Sequence, residues 1–374
     1  MNKNIENLYH YTNVEGFKSI IENHYFRLSE SSFLNDPDDC KLFNDFLVKN
    51  IDCPKKLIVS SGVKKLIDYE NEILEIYKKC SFEDYVKYLE KHIKLYVMSF
   101  SSVADDLTMW NYYGKGGFSL EISKDQLIQV MKNTLKENDE YFTISNVIYS
   151  EKDKCAPIPN FNNFHLFSKK SNDLLKENEK NRKEKANKED IKNLFEENDL
   201  ETFIYIYYKG YLLSLEYLLE SKEISIEDDQ ETICKAVFKN TKDFEIKNRN
   251  MLWKRDLSLF MILLSSLIKS NSYESENEIR IVYFKYDNEN KENENIDYYI
   301  KHTPFGNLLS PYISLKGSNE EFNDIIEKSI ISPATKNLPI NINMYKNTLK
   351  EYLLSKKYYK SSKSISYSKH NIRW

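Results

Sequence analysis

What most restricts the fold of this chain is where its strand-like segments fall: they lie toward both ends, and the stretch between them is almost wholly helical in pattern. Residues 8–11 are aromatic-rich, 25–28 read as a second strand, 95–101 as a buried one, 118–122 alternate apolar and polar, and 141–149 add another. Strand character returns at 278–284, 298–301, 312–315 and 326–331. From 200 to 270, Tyr205, Tyr208, Leu212 and Leu215 recur at helical spacing and are read as core. The mixed-charge run 169–199 before them is a solvated insertion, helical or partly disordered. Strands at both ends with helices between point to one α+β core, interrupted, rather than two independent domains. Residues 1–158 and 271–355 supply the core, 159–270 the helical insertion, and 356–374 a basic tail, solvated or docked, with six Lys or Arg residues and no acid.

Composition narrows the class. The 374 residues are 41% hydrophobic, with 28 Tyr and 20 Phe, enough for a large core. Charged residues make up 30%, yet their signs nearly cancel to a net charge of -4, so no global field draws the chain toward nucleic acid or membrane. The five cysteines are odd in number, scattered and without a C-x-x-C pair, which argues against a disulfide framework or a zinc site and for the reducing cytoplasm. The apolar run at 260–264 is too short to span a bilayer, so no membrane partner is expected.

Locally, Thr12-x-x-Glu15 reads as a capping box before a helix burying Phe17, Ile20 and Ile21. Asp36-Pro37 opens a helix to about residue 50, and further helices cover 64–79, 82–94, 124–135 and 342–354. A short helix at 105–113 enters Gly114-Lys115-Gly116-Gly117, a loop holding three of the eight glycines, where the backbone needs positive φ or a close approach. His10, at a strand end before a helix start, sits at the kind of edge that builds a cleft; the simpler alternative is a bond to a backbone carbonyl. In Glu276-x-Glu278-x-Arg280 the three charged side chains share one side if the segment is extended. Arg280 would then hold a carboxylate, in a cluster suited to orienting a hydroxyl and stabilising positive charge; a charge-protected edge strand is the other reading. Asp36, Asp38 and Asp39 are explained by an acidic helix start, and no metal is expected.

Taken in order, LYHYT at 8–12, LNDP at 34–37, SFS at 99–101, MW-x-x-YG from Met109, E-x-E-x-R-I-V from Glu276 and a late strand ending in Ser332-Pro333 resemble a large bacterial family of unassigned function whose members include abortive-phage-infection proteins. The likeness runs from Leu8 to Pro333 and returns at Ser368-x-x-x-Ile372-Arg373. That family in turn resembles the ADP-ribosyltransferase fold, in which a split antiparallel sheet clamps NAD. The resemblance implies such a sheet here, with flanking helices and a large helical insertion. It implies that His10 bonds a ribose hydroxyl of NAD, that Tyr113 or Trp110 stacks on the nicotinamide, and that Glu278 bonds the nicotinamide-ribose 2′-hydroxyl and stabilises an oxocarbenium-like transition state. Glu276 matches the acid that activates a polar acceptor. Tyr11, Thr12, Arg27, Ser99, Ser101 and Arg280 complete the NAD-binding set. NAD is then a substrate, and the acceptor is a protein, a nucleic acid, a small molecule or water. The expectation is a cytoplasmic ADP-ribosyltransferase or NAD glycohydrolase serving phage defence or acting as a toxin-like effector. A non-catalytic nucleotide- or nucleic-acid-binding module is the alternative class.

Overall fold

The computed structural model describes residues 7–34, 40, 68–135, 140–150, 165–168, 211–243, 265–286, 296–303 and 306–371. The strands are β1 (Asn7–Thr12), β2 (Tyr25–Glu30), β3 (Ile93–Ser101), β4 (Phe118–Ser123), β5 (Glu140–Asn146), β6 (Ile148–Ser150), β7 (His165–Ser168), β8 (Ile268–Ser270), β9 (Glu278–Tyr286), β10 (Ile296–Thr303), β11 (Gly306–Lys316), β12 (Ile326–Ile331) and β13 (Ile365–Tyr367). The helices are α1 (Val14–Asn23), α2 (Glu70–Lys79), α3 (Phe82–His92), α4 (Lys124–Thr134), α5 (residues 211–220), α6 (Gln230–Asp243), α7 (Asn319–Ile325), α8 (Ile342–Ser355) and α9 (Tyr359–Lys363). Among the described residues no helix is long and apolar enough to cross a membrane.

Among the described residues eleven strands form one open sheet, antiparallel except where β13 joins β12. Its path is β10-β11-β2-β3-β1-β4-β12-β13, and β9, β5 and β7 extend it from the other edge of β3. β9 pairs with β3 along its whole length, from Ile93↔Tyr286 to Ser101↔Glu278. The segments from the two ends of the chain therefore share one sheet across the helical middle, giving a mixed α+β protein. β6 and β8 make a separate two-stranded parallel ladder.

Alternation along β3 and β9 divides the core into two layers. Leu95, Val97, Val282 and Phe284 face a cluster with Ile73 and Ile76 of α2, Phe82, Val86 and Leu89 of α3, Leu212 and Leu215 of α5, and Ile233 and Val237 of α6. Tyr96, Met98, Phe100, Ile279, Ile281 and Tyr283 face the other way, toward Phe17, Ile20 and Ile21 of α1, Leu127, Val130 and Met131 of α4, Phe322 of α7 and Leu349 and Leu353 of α8.

On its other edge β3 is shared. β2 pairs with it at Glu30↔Tyr96 and Ser29↔Val97, and β1 at Tyr9↔Ser101, so the two strands part from β3 on either side of Ser99. The sheet forks there.

Several local expectations need correction. The helix cap is Asn13, whose side chain accepts from the Gly16 amide, while Thr12 closes β1 and forms no capping box. The helix expected over 82–94 stops at His92, because Ile93 and Lys94 already pair with β9. The strand expected over 141–149 breaks at Val147, whose amide turns to the Glu278 carbonyl, into β5 and β6. The helical run read to 270 ends early, since 268–270 is β8. In each case pairing with a distant strand overrides local pattern. Apart from Cys40, the helix expected at 36–50 lies outside the described residues, as do the charged segment 169–199, the apolar run 260–264, the closing Ile372-Arg373 and all but Leu34 of the LNDP stretch. The basic tail is docked through residue 371: Tyr358 is buried, β13 pairs with β12, and the Lys369 amide donates to Asp105.

The glycine-rich loop meets both of its expected needs. Gly116 has φ +77, and a Cβ at Gly117 would lie 2.2 Å from the Thr12 carbonyl oxygen. The close approach locks the loop against the end of β1.

Candidate functional site at the fork of the sheet

Glu278 begins β9 opposite Ser101, and Arg280 follows opposite Ser99, so all four side chains point to the same face. The Ser99 hydroxyl donates to Glu278 Oε1 in a short hydrogen bond. Arg280 reaches the same oxygen at 2.9 Å from Nε, and its Nη1 donates to the Ser266 carbonyl at 2.7 Å. Lys269, on β8, bridges the acids: its Nζ is 2.8 Å from Glu276 Oε2 and 3.0 Å from Glu278 Oε2. Two buried cations thus face two buried carboxylates, and the cluster is neutral as a whole.

Glu276 arrives by a different route from the one expected. It ends a 3-10 turn (Asn271–Glu276), and Asn277 follows with φ 46, so the segment is not extended before β9. The left-handed residue folds Glu276 back beside Glu278 on Lys269. The Ser101 hydroxyl holds the turn by donating to the Glu276 carbonyl at 2.9 Å, and the Tyr113 hydroxyl donates to Glu276 Oε1 at 2.8 Å. The Glu278 amide donates to the Tyr149 hydroxyl at 2.7 Å.

Burial alone would push the Glu278 carboxyl up, but the charges of Arg280 and Lys269 and the Ser99 hydrogen bond outweigh it and hold the group below the usual carboxylate range. Burial likewise opposes the Lys269 charge, and Glu278 and Glu276 together raise it instead. Tyr113 is raised by burial and by the adjacent Glu276 charge, so its phenol keeps its proton. A carboxylate offers about four acceptor directions. In Glu278 the donors crowd Oε1, and Oε2 accepts from Lys269, so among the described residues one acceptor direction of Oε2 is unused.

His10 stands in the fork itself. By alternation from Tyr9 its ring faces away from Glu278, edge-on to Phe26 of β2 and Phe100 of β3. Nδ1 is 3.3 Å from the Ser99 carbonyl oxygen, which can only accept, so Nδ1 carries the proton. Burial pulls the imidazole down to about 4, so it is neutral at physiological pH with Nε2 as an acceptor. His10 therefore makes the bond of the simpler alternative, and makes it to the residue whose side chain holds Glu278.

The other expected residues divide. Ser101, Glu276, Arg280 and Tyr113 surround Glu278 as described. Trp110 is only 1% exposed, edge-on to Tyr11 with its indole N–H on Asp105, and is part of the packing beneath Tyr113. Tyr11 spends its hydroxyl on the Val103 carbonyl and the Asp106 amide. Thr12 is buried, its hydroxyl where a Cβ on Gly16 would fall. Arg27 lies on β2 on the same face as Ser99, among three tyrosines, and is not among the groups touching Glu278. Sequence reasoning missed Lys269 and Tyr149. A lone cation after Leu267-Ile268, nine positions before Glu278, was the available signal for Lys269; Tyr149 carried none.

The fold and the site together define an open-sheet α+β protein with a buried, charge-balanced carboxylate pair at a fork in its sheet. Residues 109–281 match the model of a family described as a protein of unknown function, DUF2971. The matched span takes in Trp110, Tyr113, Lys269, Glu276, Glu278 and Arg280 and leaves out His10, Arg27, Ser99 and Ser101. No curated protein and no solved structure matches the chain.

Proposed function

We infer that this protein cleaves the bond between nicotinamide and ribose in NAD, passing ADP-ribose to an acceptor or to water, and that it acts as a phage-defence or toxin-like effector. The observation that carries the reading is the Ser99–Glu278 hydrogen bond at the fork, with His10 on the backbone of the same serine. Residues far apart in sequence, whose order resembles that of ADP-ribosyltransferases, converge on one residue.

In the proposed reaction the C1′–N bond breaks with its electron pair going to nicotinamide, and positive charge builds on the ribose. A fixed, ionised carboxylate is the device that lowers the energy of such a state. Glu278 fills that role, with its free Oε2 direction taking the 2′-hydroxyl. An acceptor O–H then attacks C1′, forming the new C1′–O bond, and its proton passes to Glu276 or solvent. Ser99 orients Glu278, and His10, on the opposite face of the sheet, holds the Ser99 carbonyl through Nδ1.

A second reading is favoured by one observation: Glu278 is 4% exposed and already bonded to three side chains. In that reading the cleft binds a nucleotide without turning it over. The two separate on incubating the purified protein with NAD and following free nicotinamide. Release by wild type, abolished in a folded Glu278→Gln variant, supports catalysis. Undiminished release by that variant ends the assignment of Glu278, and NAD-induced stabilisation without release selects the binding module.

A further inference from the structure

Arg27 stands on β2 in an aromatic enclosure. Its guanidinium carbon lies 5.9 Å from the Tyr25 ring centre, 5.3 Å from Tyr299 of β10 and 5.4 Å from Tyr312 of β11. Nη2 donates to the Ser19 hydroxyl at 2.8 Å, and Nε is buried without a hydrogen-bond partner. Among the described residues no carboxylate pairs with it.

The register collects more unmet polar groups on this face. Arg27 is opposite Ser314 and Ser29 opposite Tyr312, so the even-numbered residues of β11 face Arg27's side, as does Tyr299 opposite Ser310. The hydroxyls of Ser310 and Ser314 are both buried without partners. Three orphaned polar atoms, two on the rung of Arg27 and Ser314 and one at Ser310 four residues along β11, carry a free-energy cost that a hydrogen-bonding partner would remove. Among the described residues the charges on this face are Arg27, Lys316, whose Nζ is 5.5 Å from the Tyr25 ring centre, Lys301, which donates to the Phe33 carbonyl, and Asp297 opposite Tyr312. The face is cationic and lined with flat rings.

A guanidinium fork matches phosphate oxygens in pairs, and the half-exposed rings of Tyr25 and Tyr299 offer stacking surfaces to a base, while Tyr312 is buried. The same face continues to the carboxylate cluster: Ser29 is paired with Val97 of β3, two residues before Ser99, and neighbouring strands lie about 5 Å apart. We propose that Arg27, Tyr25, Tyr299 and Tyr312, with Lys316, form a subsite for the diphosphate and adenine of a nucleoside diphosphate. Arg27 takes the phosphates, and the Tyr25 and Tyr299 rings take the base. This deepens the NAD reading and rests on it for the ligand's identity: the subsite would hold the ADP half while the nicotinamide ribose reaches Ser99 and Glu278.

The test is titration of ADP into the full-length protein by calorimetry, repeated with Arg27→Gln, Arg27→Lys and Tyr299→Ala, each checked for wild-type circular dichroism. The expected result is saturable binding by wild type, weakened tenfold or more by Arg27→Gln, less by Arg27→Lys, and severalfold by Tyr299→Ala. Absence of ADP binding by wild type, or equal affinity in folded Arg27→Gln, overturns the subsite. The two proposals fail separately. Nicotinamide release with an unchanged KM in Arg27→Gln removes the subsite and leaves Glu278 standing; Arg27-dependent ADP binding without nicotinamide release from NAD does the reverse.

Discussion

Replacing Lys269 by methionine tests the electrostatics of the site. The ammonium is buried 2.8 and 3.0 Å from two carboxylates, and among the described residues Arg280 supplies the other cation bonded to Glu278. At about 3 Å and an effective dielectric of about 20, each contact is worth roughly 5 kcal/mol before desolvation is subtracted. Much of that gain offsets the cost of burying the ions, but removing one partner leaves the others buried and unbalanced, which costs about 3–5 kcal/mol. Methionine fills similar volume, so the loss is electrostatic rather than a cavity. The pH dependence follows with a definite sign. In wild type the depressed Glu278 pKa gives stability that is present above the unfolded carboxylate value of about 4.3 and lost as pH falls through the lower folded value. In Lys269→Met two adjacent carboxylates share one cation, so one of them has a raised folded pKa. Its contribution is then present below about 4.3 and lost as pH rises through that raised value. The stability difference between variant and wild type should therefore be larger at about pH 8 than at about pH 5, and Lys269→Met/Glu276→Gln should recover at least about 1 kcal/mol of it. Urea unfolding followed by circular dichroism at both pH values reads all of this. A loss below about 1 kcal/mol at the higher pH, or a double variant no better than the single, refutes the argument.

Ser99→Ala removes a donor to a charged acceptor and should cost about 1.5 kcal/mol of stability, with nicotinamide release falling about tenfold in kcat and little change in KM; an unaltered kcat counts against orientation of Glu278 by this hydroxyl. Gly117→Ala drives a methyl into the Thr12 carbonyl and Asn13 backbone and should lower the urea midpoint by the equivalent of about 1–3 kcal/mol. Gly116→Ala meets open space and should cost only the left-handed backbone penalty of about 1–2 kcal/mol, so a larger loss there than at Gly117 contradicts the packing described. The His10 imidazole should titrate near 4 by NMR, and a midpoint at its ordinary value of about 6.5 would show that burial does not hold it neutral.

The legibility of this fold varies with the range of the interactions involved. The strand at 326–331 matches its expected bounds, and the apolar face of α1 is the one read from Phe17, Ile20 and Ile21, because alternation and helical periodicity are properties of neighbouring residues. The loop glycines were legible as a need for positive φ or close backbone approach, although the partner approached by Gly117, the Thr12 carbonyl, lies on a distant strand and could not be read from the loop. The boundary at His92, the break at Val147 and the strand at 268–270 were not, because each is set by a partner more than a hundred residues away.

At the site the division is sharper. Residue types and their order determined that a histidine, a serine and an E-x-E-x-R run were available near strand ends, and that charge balance would leave the chain without a strong overall field. Only the tertiary structure decided which of these meet. The register of β3 on β9 joins Ser99 to Glu278 across 179 positions, a left-handed residue at Asn277 folds Glu276 onto Lys269, and the fork turns His10 to the far face. Register and fork geometry arise from packing two cores against one sheet. That energy is spread over many distant contacts, so no local stretch of sequence carries it.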